Sequence, residues 1–352
     1  MMLADRLRPD FMIKHRVFAD REREAKLNEL GDTLRLLDQH VNFTALAESV
    51  DHAAPPPSRQ HGGRPPFPTE LMVRVLLIQQ MFNLSDEQME FQLLDRLSFQ
   101  RFVGLRTTSQ IPDRTTIWTF KERLIKAGAS ETVFDAVNRQ LARHGYIARG
   151  GQTIDASIVQ TPKQSIKKDE KDFVADQAMP TDWAPAKRRQ KDVEARWTKK
   201  RGKSYFGYKV SASADKHYKL IRKVKVSTAS EHDTLHFEAL IDSANTSRDI
   251  YADKGYIDGE REAHLKSEGW RMHIQRKGSK DKALSEAQKR RNRRIASPRA
   301  RVEHVFAGLA QLGGKTLRSI GLARATLHLN WKAATYNLRR FVYLKETGVV
   351  AF

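Results

Sequence analysis

The apolar positions fall into two regimes along the chain. Up to about residue 127 they recur at three- and four-residue steps, the period of an amphipathic helix; after Gly150 they form short runs, as strands do. Leu27, Leu30, Leu34 and Leu37 predict one amphipathic helix within residues 1–52. Leu71, Val75, Ile78 and Phe82 make a second stripe, and Ser85 with Gln88 forms the capping-box pattern that opens a helix through Leu94. Short helices are expected at 98–103 and 112–124, the latter capped by Asp113 and carrying a polar, basic face. Between the first two stripes, residues 53–66 are rich in Pro and Gly and read as a linker.

After Gly150, strands are predicted at 153–159, 207–214 and 220–227, with a turn at Asp215-Lys216-His217. Glu231-His232-Asp233-Thr234 then precedes a helix to about Asp242, and a strand at 249–253, a helix at 259–267 and a strand at 272–275 follow. Three early strands and then alternating helices and strands predict a mixed α/β sheet. The tail at 316–346 is helical, with Leu322, Ala325, Leu329, Ala333 and Tyr336 facing a core.

Charge changes the picture. Lys and Arg number 63 against 42 Asp and Glu, a formal net charge of +21, which favours a polyanionic partner, nucleic acid first. No apolar window is long enough to span a membrane; the best candidate, 71–82, is broken by Arg74, Gln79 and Gln80. Zero cysteines exclude disulfides, Cys-based zinc sites and thiol catalysis and fit a reducing cytoplasm; residues 1–16 show no export signal. The successive short helices ending at 112–124 resemble a helix-turn-helix unit whose last helix could enter a major groove; an ordinary bundle with a solvated basic face has the same pattern. Residues 161–204 carry Lys or Arg from Lys163 to Lys203 with little apolar periodicity. They read either as a solvated loop or as a segment that orders along phosphates, with Trp183 and Trp197 stacking on exposed bases.

Three carboxylates stand out. Asp155 interrupts the apolar run 152–159, Asp253 ends the run 249–253, and Glu303 lies in a basic helix at 299–306. Oxygen ligands suit Mg2+ or Mn2+, and two such ions can polarise a phosphodiester while activating water or a 3′-hydroxyl. Taken singly, an Asp near a strand end is often a turn or cap residue, and a Glu between arginines an ion pair.

Seven motifs in order then resemble one family: Gly63-Arg64-Pro65-Pro66-Phe67-Pro68, Ile111-Pro112-Asp113-Arg114-Thr115-Thr116, Thr153-Ile154-Asp155-Ala156, Phe206-Gly207-Tyr208-Lys209, Ala229-Ser230-Glu231-His232-Asp233, Tyr251-Ala252-Asp253-Lys254-Gly255-Tyr256 and Arg299-Ala300-Arg301-Val302-Glu303-His304. They look like the signatures of bacterial insertion-sequence transposases of the DDE type, most similar to the fifth numbered insertion-sequence family, over roughly residues 60–345. The resemblance implies a ribonuclease H-like catalytic domain at 149–346 with the basic loop 161–204 inside it. It also implies an α-helical DNA-binding domain at 67–148, after an N-terminal helical segment 1–52 and the linker 53–66; residues 347–352 are a tail.

By the same resemblance Asp155, Asp253 and Glu303 match the metal-binding triad, holding two Mg2+ or Mn2+ ions. Arg299 matches the arginine of the Tyr-Arg-Glu-Lys signature and would hold a phosphate. That signature's tyrosine and lysine positions are Ala296 and Ala310, so Lys315 or Lys254 would have to replace the lost cation, unless both simply face solvent. Arg301, Arg114 and Lys121 are further phosphate candidates. His232 and Asp233 match another motif, although Asp233 could only cap the next helix. The interval of about fifty positions between Asp253 and Glu303 leaves room for a helix, a strand and a short basic helix, and none for a large β-rich insertion; Lys277, Lys280, Lys282, Lys289, Arg290, Arg291, Arg293 and Arg294 make it a DNA-contact candidate. The implied activity is binding of terminal inverted repeats, cleavage at the element ends and transfer of 3′-hydroxyls to target DNA by an assembly at least dimeric. A nuclease without strand transfer and a decayed DNA-binding protein are the alternatives, the second prompted by Ala296 and Ala310.

Overall fold

The computed structural model describes residues 18–57, 65–105, 110–165, 167, 170, 179–278 and 283–351. Gly63, Arg64, Lys168, Lys171, Lys280, Lys282 and the stretch 1–16 lie outside them. Helices fill the first part: α1 Ala19–Leu30, α2 Thr33–His40, α3 Phe43–Ala53, α4 Thr69–Phe82, α5 Asp86–Asp95, α6 Leu97–Val103, α7 Arg114–Lys126 and α8 Thr132–Arg143. The expected single helix over Leu27 to Leu37 is two. Gly31 turns the chain at φ +84°, and Asp32 starts a new helix by accepting the Leu34 N–H at 2.9 Å. Leu34 and Leu37 are therefore buried, whereas Leu27 and Leu30 are exposed. The capping box of Ser85 and Gln88 is formed, and Asp113 accepts the Thr116 N–H at 2.6 Å.

The second part comprises β1 Gln152–Gln160, α9 Pro185–Gln190, β2 Arg196–Lys200, β3 Lys203–Asp215, β4 Ile221–Thr228, β5 Asp249–Ala252, α10 Gly259–Ser267, β6 Arg271–Ile274, α11 Glu286–Gln311 and α12 Leu322–Glu346. The strands form the expected mixed sheet in the order β2-β3-β1-β5-β6, with β4 also on β3. Long β3 carries β2 on its residues 203–207 and β4 beyond, along the same edge. β1 is antiparallel to β3 and parallel to β5.

Three local expectations change. The basic stretch 161–204 is not all loop: it contains α9 and the edge strand β2, whose charges face solvent as edge strands tolerate. Its end is anchored by buried Asp192, which accepts the Tyr208 hydroxyl at 2.8 Å and the Gly321 N–H at 3.1 Å. In place of the helix expected after Glu231-His232-Asp233-Thr234 stand two short 3-10 turns, Asp233–His236 and Glu238–Leu240, and His232 rather than Asp233 caps the first. The helix bearing Glu303 is long: α11 has 26 residues and continues through Pro298.

One hydrophobic core runs from Leu34 to Leu344, so it does not stop at residue 149, where the sequence suggests a boundary. Helix α12 packs on α4, α8 and β4, joining the N-terminal helices to the sheet. At its centre Lys332 is fully buried; its Nζ donates to Gln80 O at 2.9 Å, Asn83 Oδ1 at 3.1 Å and Leu312 O. Burial lowers its pKa to about 7, and the three oxygens compensate the ammonium. A second cluster, with Ile154, Phe237, Ile250, Tyr256 and Trp270, includes Leu265 of α10.

Gly207 sits where β3 passes close to β1. Its φ is +150°, and a Cβ there would stand 2.2 Å from Val159 O. Gly207→Ala is expected to lower stability by about 2 kcal/mol or more, read by urea denaturation. At the other side of the sheet, Asp249 accepts from Arg271 Nε at 2.7 Å and pairs with His273 Nε2 at 2.8 Å. These bonds, Arg271 first, hold its carboxyl well below the usual range. A depressed folded pKa stabilises above the unfolded value of about 4 and is lost as pH falls below it. Asp249→Asn should therefore lower stability at pH 7 and flatten the loss between pH 5 and pH 2, seen by denaturation at each pH.

Candidate active site

Strand register brings the two aspartates together. β1 and β5 run parallel with Gln152 opposite Ile250 and Thr153 opposite Tyr251, so two residues further Asp155 comes level with Asp253 just past the end of β5. Asp155 accepts its neighbour Ala156's N–H at 2.8 Å, and Asp253 accepts the Gly255 N–H at 2.7 Å as it caps the turn Lys254–Tyr256. A Cβ at residue 255 would lie 2.9 Å from Asp253 Oδ1, so Gly255 leaves that carboxylate its place.

Glu303 arrives from α11. One helical turn earlier, Arg299 donates from Nη2 to Glu303 Oε1 at 2.7 Å and holds Nη1 3.5 Å from Asp155 Oδ2. A single guanidinium thus spans the gap between strand and helix. Glu303 is 59% exposed and Asp155 24%, so the site opens on the Glu303 side. Burial raises the Asp155 pKa to about 6, with Asp253 adding to it; the Ala156 N–H, Arg299 and Lys200 pull the other way.

Two residues without an assigned role in the sequence belong here. Tyr256 has a buried hydroxyl with no partner, and its pKa is raised by burial and by Asp155, Asp233 and Asp253. Its motif position signalled it; its type did not. Lys200, on the edge strand, acts electrostatically on both Asp155 and Lys315. Lys315 donates to Ser157 Oγ, beside Asp155 on the same face of β1, and its pKa is lowered by burial and Lys200 against the pull of Asp155.

The other candidates scatter. Lys254 is exposed next to Asp253. Arg301, two residues from Arg299 and so on another helix face, donates to Lys216 O. Asp233 pairs with Lys209 at 2.8 Å and lies close enough to act on Tyr256, while His232 is an exposed cap. Arg114 and Lys121 are on α7, where Lys121 pairs with Asp86 and Arg114 faces solvent near Glu87. Trp197 is half exposed on β2, with Lys163 over its ring. Trp183 is not available for base stacking: it is 4% exposed, and its Nε1 donates to Glu170 at 2.9 Å. Ala296 and Ala310 stand two turns to either side of Glu303.

Among the described residues no three His, Asp or Glu side chains already surround one point. The donor set nevertheless fits a divalent ion. It offers only carboxylate oxygens, and two of them are held side by side with Asp155 poorly compensated for its burial. The third carboxylate is engaged by Arg299, which sits where positive charge is needed.

Residues 149–338 match the family model "Transposase DDE domain", and residues 21–123 match "Transposase domain (DUF772)". The chain belongs to the DDE transposase family. The transposase is a DNA-processing enzyme whose sheet, β4-β3-β1-β5-β6 with the first three antiparallel and the rest parallel, is ribonuclease H-like behind a helical N-terminal region. A solved structure, "Cryo-EM structure of piggyBac transposase synaptic complex with hairpin DNA", is similar at a TM-score of 0.45 and 11% identity, covering 91% of this chain and 76% of that one. Among the transposase's described residues no helix is long and apolar enough to cross a membrane.

Because Arg299 compensates the carboxylates, Arg299→Ala should melt about 2 °C lower than the parent without divalent ions and gain more from added Mg2+ or Mn2+. Thermal melts with and without each ion check this; equal gains in both proteins would show that Arg299 and the ion do not substitute for each other.

Proposed function

We infer that this transposase binds the terminal inverted repeats of its element, hydrolyses DNA at the element ends and transfers the exposed 3′-hydroxyls to target DNA. The observation that carries the reading is the level placement of Asp155 and Asp253 on adjoining parallel strands, with Glu303 drawn to them through Arg299. Asp155, Asp253 and Glu303 would hold two Mg2+ or Mn2+ ions. When bound, the ions polarise the scissile phosphodiester and make water or a 3′-hydroxyl a competent nucleophile. No covalent protein nucleophile is required. Arg299, released from the two carboxylates, is placed to take a phosphate oxygen through its forked N–H groups. Lys315 and Lys254 flank the aspartates and supply the charge that a lysine at position 310 would have brought.

Phosphate contacts away from the centre come from the exposed Lys289, Arg290, Arg293 and Arg294 on α11 and from Arg114 on α7. Trp197 on the edge strand offers a stacking face for an unpaired base. The protein works as a dimer or larger synaptic assembly, in the bacterial cytoplasm at the nucleoid, and sits closest to the fifth numbered insertion-sequence family. Ala296 and Ala310 favour a second reading, a sequence-specific DNA-binding protein that has lost cleavage; a nuclease without strand transfer is a third.

Asp155→Ala, Asp253→Ala and Glu303→Ala should each reduce metal-dependent end cleavage by more than about a hundredfold, beyond what loss of a ligand's hydrogen-bonding partner costs, while retaining end binding. Undiminished cleavage by any one of them removes that residue from the centre. End binding by the parent with no cleavage in Mg2+ or Mn2+ supports the second reading. Cleavage without joining to a supercoiled target supports the third.

A further inference from the structure

Tyr256 closes the short turn that Asp253 opens, its N–H donating to Asp253 O at 3.2 Å. Its ring packs against Phe237 with centroids 5.4 Å apart, in the core cluster that also holds Ile154 and Ile250. Arg261 clamps the same place: it lies over the Phe237 ring, donates from Nη2 to Tyr256 O at 3.0 Å and from Nη1 to Thr234 O at 2.9 Å. A ring held in this way presents its hydroxyl at a defined point. Tyr256 is 1% exposed, yet that hydroxyl has no hydrogen-bond partner. Buried tyrosine hydroxyls ordinarily find one, and phenylalanine would fill the same space without leaving a polar atom unpaired. The oxygen therefore adds nothing to the fold, and its use lies in what surrounds it.

The surroundings are negative. After burial itself, Asp155 does most to raise the pKa of the hydroxyl, ahead of Asp233 and Asp253. The three carboxylates are not equivalent. Asp233 has Lys209 at 2.8 Å, so its charge is already answered. Asp253 accepts the Gly255 N–H at 2.7 Å as it caps the turn. Asp155 is the more deeply placed of the two strand-end aspartates: one oxygen accepts the Ala156 N–H at 2.8 Å, and the other has Arg299 Nη1 at 3.5 Å, at the limit of a hydrogen bond. A carboxylate that turns one oxygen to a dication is kept in that orientation by a donor to its other oxygen.

We propose that Tyr256 is a positioning residue of the carboxylate centre, its hydroxyl donating to Asp155 when that carboxylate holds a divalent ion. This rests on the reading of Asp155, Asp253 and Glu303 as ligands of the ion. Tyr256 acts through Asp155, not on the reacting atoms. A phenol suits the task because it is a neutral donor, and so does not compete with the ion for the carboxylate as the Arg299 guanidinium does. The raised pKa keeps the proton in place to be donated.

Full-length parent and Tyr256→Phe are melted in EDTA and then titrated with Mn2+, binding being followed as loss of the electron paramagnetic resonance signal of the free ion. The variant is expected to melt at or above the parent in EDTA, because it keeps the ring and removes an unpaired buried oxygen. It should bind Mn2+ about tenfold to a hundredfold more weakly, and recover end cleavage when Mn2+ is raised by the same factor. Equal Mn2+ affinity in the two proteins overturns the assignment and leaves the metal reading standing. A variant that melts clearly below the parent in EDTA, or does not fold, shows that the hydroxyl serves the fold and overturns the assignment as well. Absence of Mn2+ binding by the parent overturns the metal reading and this inference with it.

Discussion

Everything at the carboxylate face depends on the position of β1 between an antiparallel and a parallel neighbour. Antiparallel pairing with β3 fixes which face of the sheet Asp155 and Ser157 occupy, because a slip of one residue would send both to the opposite side. Parallel pairing with β5 fixes how far along the strand Asp253 emerges. The close crossing at Gly207 locks the first of these registers, since only a residue without a Cβ tolerates Val159 O at that distance. Carboxylates about one hundred positions apart in sequence are thereby held side by side by backbone hydrogen bonds, with no ligand required to assemble them.

Electrostatics then decides the resting state. In a chain of net charge +21, the centre is a local concentration of negative charge, and Arg299 is the residue that answers it by reaching both Asp155 and Glu303. The motif resemblance assigns this arginine to a phosphate; the structure shows it first as a counter-ion of the carboxylates. The two roles would be compatible in succession if a dication displaced the guanidinium from the carboxylates. Lys315 and Lys200 also act on Asp155, so positive charge lies on more than one side of that carboxylate.

Much of the architecture was legible because apolar runs report sheet strands well: β1, β5 and β6 fall within one or two residues of the positions read from the pattern. Edge elements were not. β2 has charges on both faces and so leaves no alternation to read, and the turns after Glu231 are only four and three residues long, too short to show a periodic stripe. Gly31 separates α1 from α2 through a positive φ, which a stripe of leucines does not reveal. Trp183 and Trp197 look alike in a basic stretch, yet one is buried against Glu170 and Lys187 and the other stands half exposed. For the site, the carboxylates and Arg299 could be named from motifs, whereas the setting of Tyr256 and Lys200 among them depends on the fold.

The buried Lys332 has a consequence for how such genes can diversify. Its ammonium closes the carbonyl end of α4, from the helical half, and Leu312, which follows the helix carrying Glu303. A crossover between two relatives near residue 149 would bring together an α4 and an α12 that had not been selected as a pair, stranding a buried cation whenever their spacing differs. Exchange of halves therefore puts this contact at risk, whereas substitution on the exposed faces leaves it intact.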